Sequence, residues 1–95
     1  MRRQAQGDLP GAREKLEHSL AIQLKVYGTR DHYMTAMTEH EIAMLLLQSG
    51  QEPQRAAELL VHALQTFLAQ LGPDHPYSRQ LLGFFARMKK DGSPP

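Results

Sequence analysis

The chain of 95 residues contains no cysteine, which excludes disulfides, thiolate metal sites and thiol catalysis. Long hydrophobic runs are also missing. The longest unbroken apolar stretch, Ile42 to Leu47, is far too short to span a bilayer. Behind Met1-Arg2-Arg3 stands Gln4-Ala5-Gln6-Gly7-Asp8 rather than the apolar segment of a signal peptide, so the expected location is cytoplasmic, or wherever a parent chain is placed. Charge of one sign is lacking as well: eleven Lys and Arg against ten Asp and Glu give a formal net charge of +1. That balance carries no electrostatic footprint for nucleic acid or an anionic membrane, and the basic pairs Arg2-Arg3 and Lys89-Lys90 read as solvated ends. The glycines stand singly, so there is no phosphate-binding loop. No serine sits in a Gly-x-Ser-x-Gly elbow. The chain is therefore read as non-enzymatic, with no catalytic residue and no cofactor.

What is present is helical periodicity between turn residues. From Gly50 to Gly72, the positions Ala56, Leu60, Ala63, Leu64, Phe67, Leu68 and Leu71 form one broad apolar stripe. Gly50 and Pro53 break the chain before it, and Gly72-Pro73 stop it. An earlier helix is expected from about Asp8, as N-cap, to Tyr27, with Pro10 in its first turn and Gly28 as its left-handed terminator. A second is expected from about Asp31 to Ser49; its later half is apolar all round, the pattern of a helix packed between neighbours. A fourth should follow Gly72-Pro73-Asp74-His75-Pro76, capped by Asp74 and presenting Leu81, Leu82, Phe84, Phe85 and Met88. No stretch alternates with the period of a strand. The expected fold class is all-α, antiparallel helix–turn–helix, with about four helices. Its domain spans residues 7–90, between a polar segment 1–6 and a disordered tail 91–95.

The five histidines form no metal motif. His18 and His62 sit in equivalent helical settings, too far apart to share an ion with imidazole bonds of about 2 Å. Glu39-His40-Glu41 lacks the i, i+4 histidine pair of a helical zinc site. His32 and His75 fit the capping turns of two helices. The acidic residues are expected on solvent faces, where they support solubility and i, i+4 pairing.

The pattern repeats. Ala12, Leu16, Leu20, Leu24 and Gly28 recur as Ala56, Leu60, Leu64, Leu68 and Gly72 at a constant offset of 44. The phrases LEHSLAIQLKVYG and AELLVHALQTFLAQLGPDHP, and the pair Asp31-His32 returning as Asp74-His75, resemble the tetratricopeptide repeat. The nearest variety is the long one of about 42–44 residues found in kinesin light chains. The resemblance covers about residues 7–90. It departs from that pattern at Glu39 and Glu41, where long-repeat families often carry Leu and Asn, and by one extra residue in the turn Gln51–Arg55.

The resemblance implies a fragment of an α-solenoid, a protein–protein interaction module that holds a peptide or partner helix in the concave groove of stacked hairpins. The groove positions carried over on the second helix are Met37, His40, Glu41, Met44, Leu47 and Gln48. From the fourth helix come Gln80, Phe84 and Arg87. The expected partner is a protein or peptide, with neither nucleic acid nor membrane. The alternatives are a non-binding structural spacer of a larger repeat scaffold, or a regulatory segment of a multidomain signalling protein or enzyme. The register opens in mid-repeat, which suggests a piece of a longer array or a homodimer through incomplete repeat ends.

Overall fold

Four periodic patterns fold into four helices. The computed structural model describes residues 9–90. It contains α1 (Leu9–Tyr27), α2 (Tyr33–Ser49), α3 (Pro53–Leu71) and α4 (Pro76–Lys90), with no strand among the described residues. The all-α helical hairpin arrangement expected from the sequence is present. The readings of segment 1–6, of Asp8 as a cap and of the tail 91–95 lie outside the described residues.

The helices start and stop for identifiable chemical reasons. His32 is the N-cap of α2, with its backbone extended at φ −108° and ψ 140°. Its Nδ1 accepts the Met34 N–H at 3.1 Å, satisfying a donor that the first helical turn cannot. His75 repeats the device 43 residues later, its Nδ1 accepting the Tyr77 N–H at 3.1 Å. Each histidine carbonyl accepts the first intrahelical bond, from Ala36 and Arg79 respectively. The capping role expected of the two histidines therefore holds. The expected role of Asp74 does not, because His75 occupies the position next to the helix. For the same reason α2 begins at Tyr33 rather than Asp31.

Gly50 ends α2 at φ 71° and ψ 21°, donating to the Leu46 and Leu47 carbonyls, as a left-handed terminator does. Gly72 differs. At φ 88° and ψ 163° it lies in a region open to glycine almost alone, and the chain leaves α3 extended. The turn between α2 and α3 also holds Glu52 at φ 42°, a left-handed residue that carries a side chain.

The α2–α3 hairpin is the centre of the fold. Ala36, Ile42, Ala43 and Leu46 of α2 meet Ala56, Leu59, Leu60, Ala63 and Phe67 of α3, and Leu81 of α4 joins the same core. The alanines let the two backbones approach, while Phe67, Ile42, Leu46 and Leu81 are fully enclosed, each contributing about 1.5–3 kcal/mol by burial. Ala63 has no exposed surface, as expected for a crossing point.

No residue of α1 is fully buried. Leu16 and Leu20 pack on the core from outside, and charge holds the helix in place. Arg55 of α3 makes a two-pronged contact with Glu17 at 2.6 and 2.9 Å. Arg13 reaches Gln51 and Glu52 in the turn between α2 and α3. The apolar surplus on α2 is not fully covered either. Met44 and Leu47 remain about two-fifths exposed, so α2, packed between α1 and α3, keeps one open side.

Shared clefts fix the layers. α1 and α3 face one another across one depression, α2 and α4 across another. The molecule is 23 Å through its thinnest dimension, which is two helix diameters of about 10–12 Å.

Candidate functional site

Between α2 and α4 the chain leaves a cleft of about 290 Å³ lined by Met37, His40, Glu41, Phe67, Tyr77 and Gln80. Its floor is Phe67, which is buried and lies 5.5 Å from the Tyr77 ring, centroid to centroid. Met37 and His40 enter one turn apart on α2, and Glu41 stands beside them at the rim. Tyr77 and Gln80 come from the first turns of α4. His75 holds Tyr77 from behind through an edge-on ring contact at 4.7 Å, so the cap that starts α4 also orients an aromatic wall of the cleft.

Four of the nine groove positions read from the sequence come together here: Met37, His40, Glu41 and Gln80. Met44, Leu47 and Gln48 lie exposed further along α2, while Arg87 is exposed on α4; none of them lines the cleft. Phe84 is half-buried, packed on the core and set edge-on to Phe85 at 5.8 Å. Phe67 and Tyr77 were missed. Phe67 was visible only as a member of the α3 stripe, and Tyr77 stands too close to Pro76 to be part of any periodic run.

The electrostatics of the cleft are simple. Burial holds the His40 imidazole below its ordinary pKa of 6.5, with Glu41 opposing the shift, so His40 is neutral at neutral pH. Glu41 is then the one charged group among the lining residues. It is exposed and has no ion-pair partner among the described residues.

A second concavity, about 760 Å³, lies between α1 and α3. Its apolar walls include Leu20, Leu24 and Val61, and a polar network crosses its base. Glu39 of α2 is 2% exposed. One carboxylate oxygen meets His62 Nδ1 at 2.6 Å, and the other accepts from Arg30 at 3.1 Å. His62 Nε2 meets Asp31 Oδ1 at 2.8 Å. The expectation that acidic residues lie on solvent faces fails at Glu39, because this carboxylate finds a cation and an imidazole inside the fold. Thr35, Glu39, Ile42 and Leu46 fall at i, i+4, i+7 and i+11, so the helical phase of α2 already placed Glu39 on its buried stripe.

The network fastens the α1–α2 connection and α2 to α3. Both ring nitrogens of His62 are taken by carboxylates, which leaves neither free to activate a hydroxyl. With a proton on each nitrogen the ring donates to both Glu39 and Asp31; with one proton it can serve only one of them. Gln70 completes the fastening: its amide donates to the Asp31 carbonyl at 2.7 Å and accepts from the Tyr33 N–H at 2.9 Å. The connection between α1 and α2 is thereby tied to α3 at two points. His18, which shares the repeat position of His62, is exposed on α1 and has no counterpart of this network. Among the described residues no group of three or more His, Asp or Glu has the arrangement to hold a metal ion. Nor is any described helix long and apolar enough to cross a membrane. The chain matches no protein-family model, no curated protein and no solved structure.

Proposed function

We propose that this chain is a tetratricopeptide-like interaction module, non-enzymatic and cytoplasmic, that receives a peptide or partner helix on its α2–α4 side. The observation that carries the reading is the cleft over Phe67. It joins apolar and aromatic walls to a few polar groups, Glu41, Gln80 and His40, the mixture expected of a recognition pocket. Met44 and Leu47, exposed on the same helix, extend an apolar strip beyond it, and methionine adapts to varied partners. The 43–44-residue repeat of sequence, with histidine caps at both α2 and α4, supports the family resemblance.

The test is a selection of displayed random peptides on the purified chain, followed by mapping of amide shifts. Selected peptides should perturb Met37, His40, Tyr77 and Gln80. Gln80→Trp, a bulky change at an exposed position, should weaken them by about tenfold or more with an unchanged helical spectrum. Failure to select any peptide, or shifts confined to the α1–α3 concavity, would support a spacer or a regulatory segment instead.

Self-association is a second reading, favoured by apolar side chains left open on the outer helices. Ile22 and Val26 of α1 are 49% and 70% exposed, and Leu82 and Met88 of α4 nearly two-fifths. A homodimer through these faces would cover them.

A further inference from the structure

We propose that the α2–α4 cleft selects a cationic side chain, arginine or lysine, of its polypeptide partner; the inference rests on the recognition role given to that cleft above. Three observations converge on this chemistry. The first is a carboxylate without a cation. Glu41 is the one carboxylate lining the cleft, is exposed, and like Glu14, Glu58 and Asp74 forms none of the ion pairs found among the described residues, whereas Glu17, Glu39 and Glu52 are each held by an arginine. Its neighbours one turn away on α2 are Met37, Thr38, Met44 and Leu45, none of which can neutralise it. Among the described residues the charge is answered by no cation.

The second observation is the wall. Met37, Phe67 and Tyr77 offer thioether and ring surface to a side chain whose stem is apolar. Arginine and lysine have such a stem, burying methylenes while the charged head stays at a polar edge. A cation over the Tyr77 face gains from the ring quadrupole. The third is the remaining polar lining. The Gln80 carbonyl oxygen can accept from a guanidinium or ammonium, and His40, half-buried and held below its ordinary pKa by that burial, places no competing positive charge beside Glu41. An acidic side chain in the same place would meet Glu41 with like charge and no cation, and an apolar one would leave the carboxylate unanswered. The volume, about 290 Å³, suits one long side chain rather than a helix face, so the cation acts as an anchor within a larger contact.

The experiment uses the whole chain and four peptides, acetyl-Ala-Leu-X-Leu-Ala-amide with arginine, lysine, norleucine or glutamate at X, each titrated while the amide resonances are followed. The arginine and lysine peptides should shift His40, Glu41, Tyr77 and Gln80 and bind about tenfold tighter than the norleucine and glutamate peptides. Glu41→Gln should remove most of that preference and leave norleucine binding where it was. If norleucine binds at the cleft as tightly as arginine, the cleft is a recognition site but the cationic anchor is wrong. If arginine is preferred equally by Glu41→Gln, the carboxylate assignment is overturned. If no peptide shifts a cleft residue, the recognition role falls, and the anchor with it.

Discussion

His62 Nδ1 lies 2.6 Å from Glu39 Oε1, joining a side chain of α3 to the one carboxylate in the interior of α2. Glu39 is 2% exposed and its partner Arg30 about half exposed, so the two ends of the network differ in cost. Removing a partner from a buried charge is expensive, while replacing both can be nearly neutral. His62→Leu, which leaves the buried Glu39 carboxylate without its imidazole, should therefore destabilise by about 2–4 kcal/mol, and Glu39→Ala, which removes the buried charge itself, by less. In a cycle with His62→Leu and Glu39→Leu, the double variant should be more stable than the summed single changes predict by about 1–3 kcal/mol. Asp31→Asn should cost well under about 1 kcal/mol, since Asp31 is mostly exposed. Denaturant unfolding of the variants measures all of these. Strict additivity would mean that His62 and Glu39 do not depend on one another.

Two of the three inter-helix glycines, Gly50 and Gly72, should respond differently to the same substitution. A Cβ added at either Gly50 or Gly72 meets nothing within 4 Å, so only backbone conformation decides the outcome. Gly50 is in the ordinary left-handed region, where alanine costs about 1 kcal/mol. Gly72, with ψ 163°, is in a region that side chains almost never enter, at about 1–3 kcal/mol. Gly72→Ala should thus lower the thermal midpoint more than Gly50→Ala. Equal shifts would show that the chain can leave α3 by another route.

Acid should loosen the molecule in two stages. The Arg55 hydrogen bond to Glu17 is the main cause that holds this carboxyl below its ordinary value of 4.5, against partial burial. A folded-state pKa below the unfolded one contributes stability above the unfolded value, and that stability is lost as pH falls through the folded value. His40 is also shifted downward, by burial, from 6.5, so its loss has the same sign but begins nearer neutrality. Thermal midpoints measured from pH 8 to 3 should show His40→Gln flattening the decline that starts below pH ~6.5. The advantage of the native chain over Glu17→Gln, about 0.5–1 kcal/mol for so exposed a pair, should hold above pH ~4.5 and fade progressively as pH falls below it. A native advantage that grew in acid would contradict the Arg55 contact.

The sequence reveals elements better than it reveals faces. Gly50, Gly72 and the apolar stripe of α3 delimit a helix because punctuation and period are local properties. Ala63 could be placed in the core on the same grounds. Glu39 could not be placed by residue type, because its burial depends on His62 and Arg30, which are distant in sequence and meet it only after folding. The histidine caps were legible from the repeated Asp-His pair, yet which of its two residues does the capping is settled by the reach of Nδ1 to the N–H two residues on. The cleft was legible in half. Met37, His40 and Glu41 share one turn of α2, but Tyr77 and Phe67 enter it through the crossing of α3 and α4, which no periodicity records.

The outer helices lead to the last prediction, that the chain self-associates. Of the repeated apolar positions on α1, Leu16 and Leu20 pack on the core, and the most exposed apolar groups of that helix are Val26 and Ile22. On α4, Phe85 packs on the core and would report unfolding if changed to a charge. Leu82 and Met88, 39% and 38% exposed, are better probes. A carboxylate there is solvated in the monomer and costs free energy only when a second copy covers it. Sedimentation equilibrium across the micromolar range should reveal a dimer, and Leu82→Glu with Met88→Glu should weaken it by about tenfold or more without changing the helical spectrum. Sedimentation as a monomer at every concentration would leave these faces uncovered in solution and set the second reading aside. A dimer indifferent to both charges would move the contact to the Ile22 and Val26 face of α1.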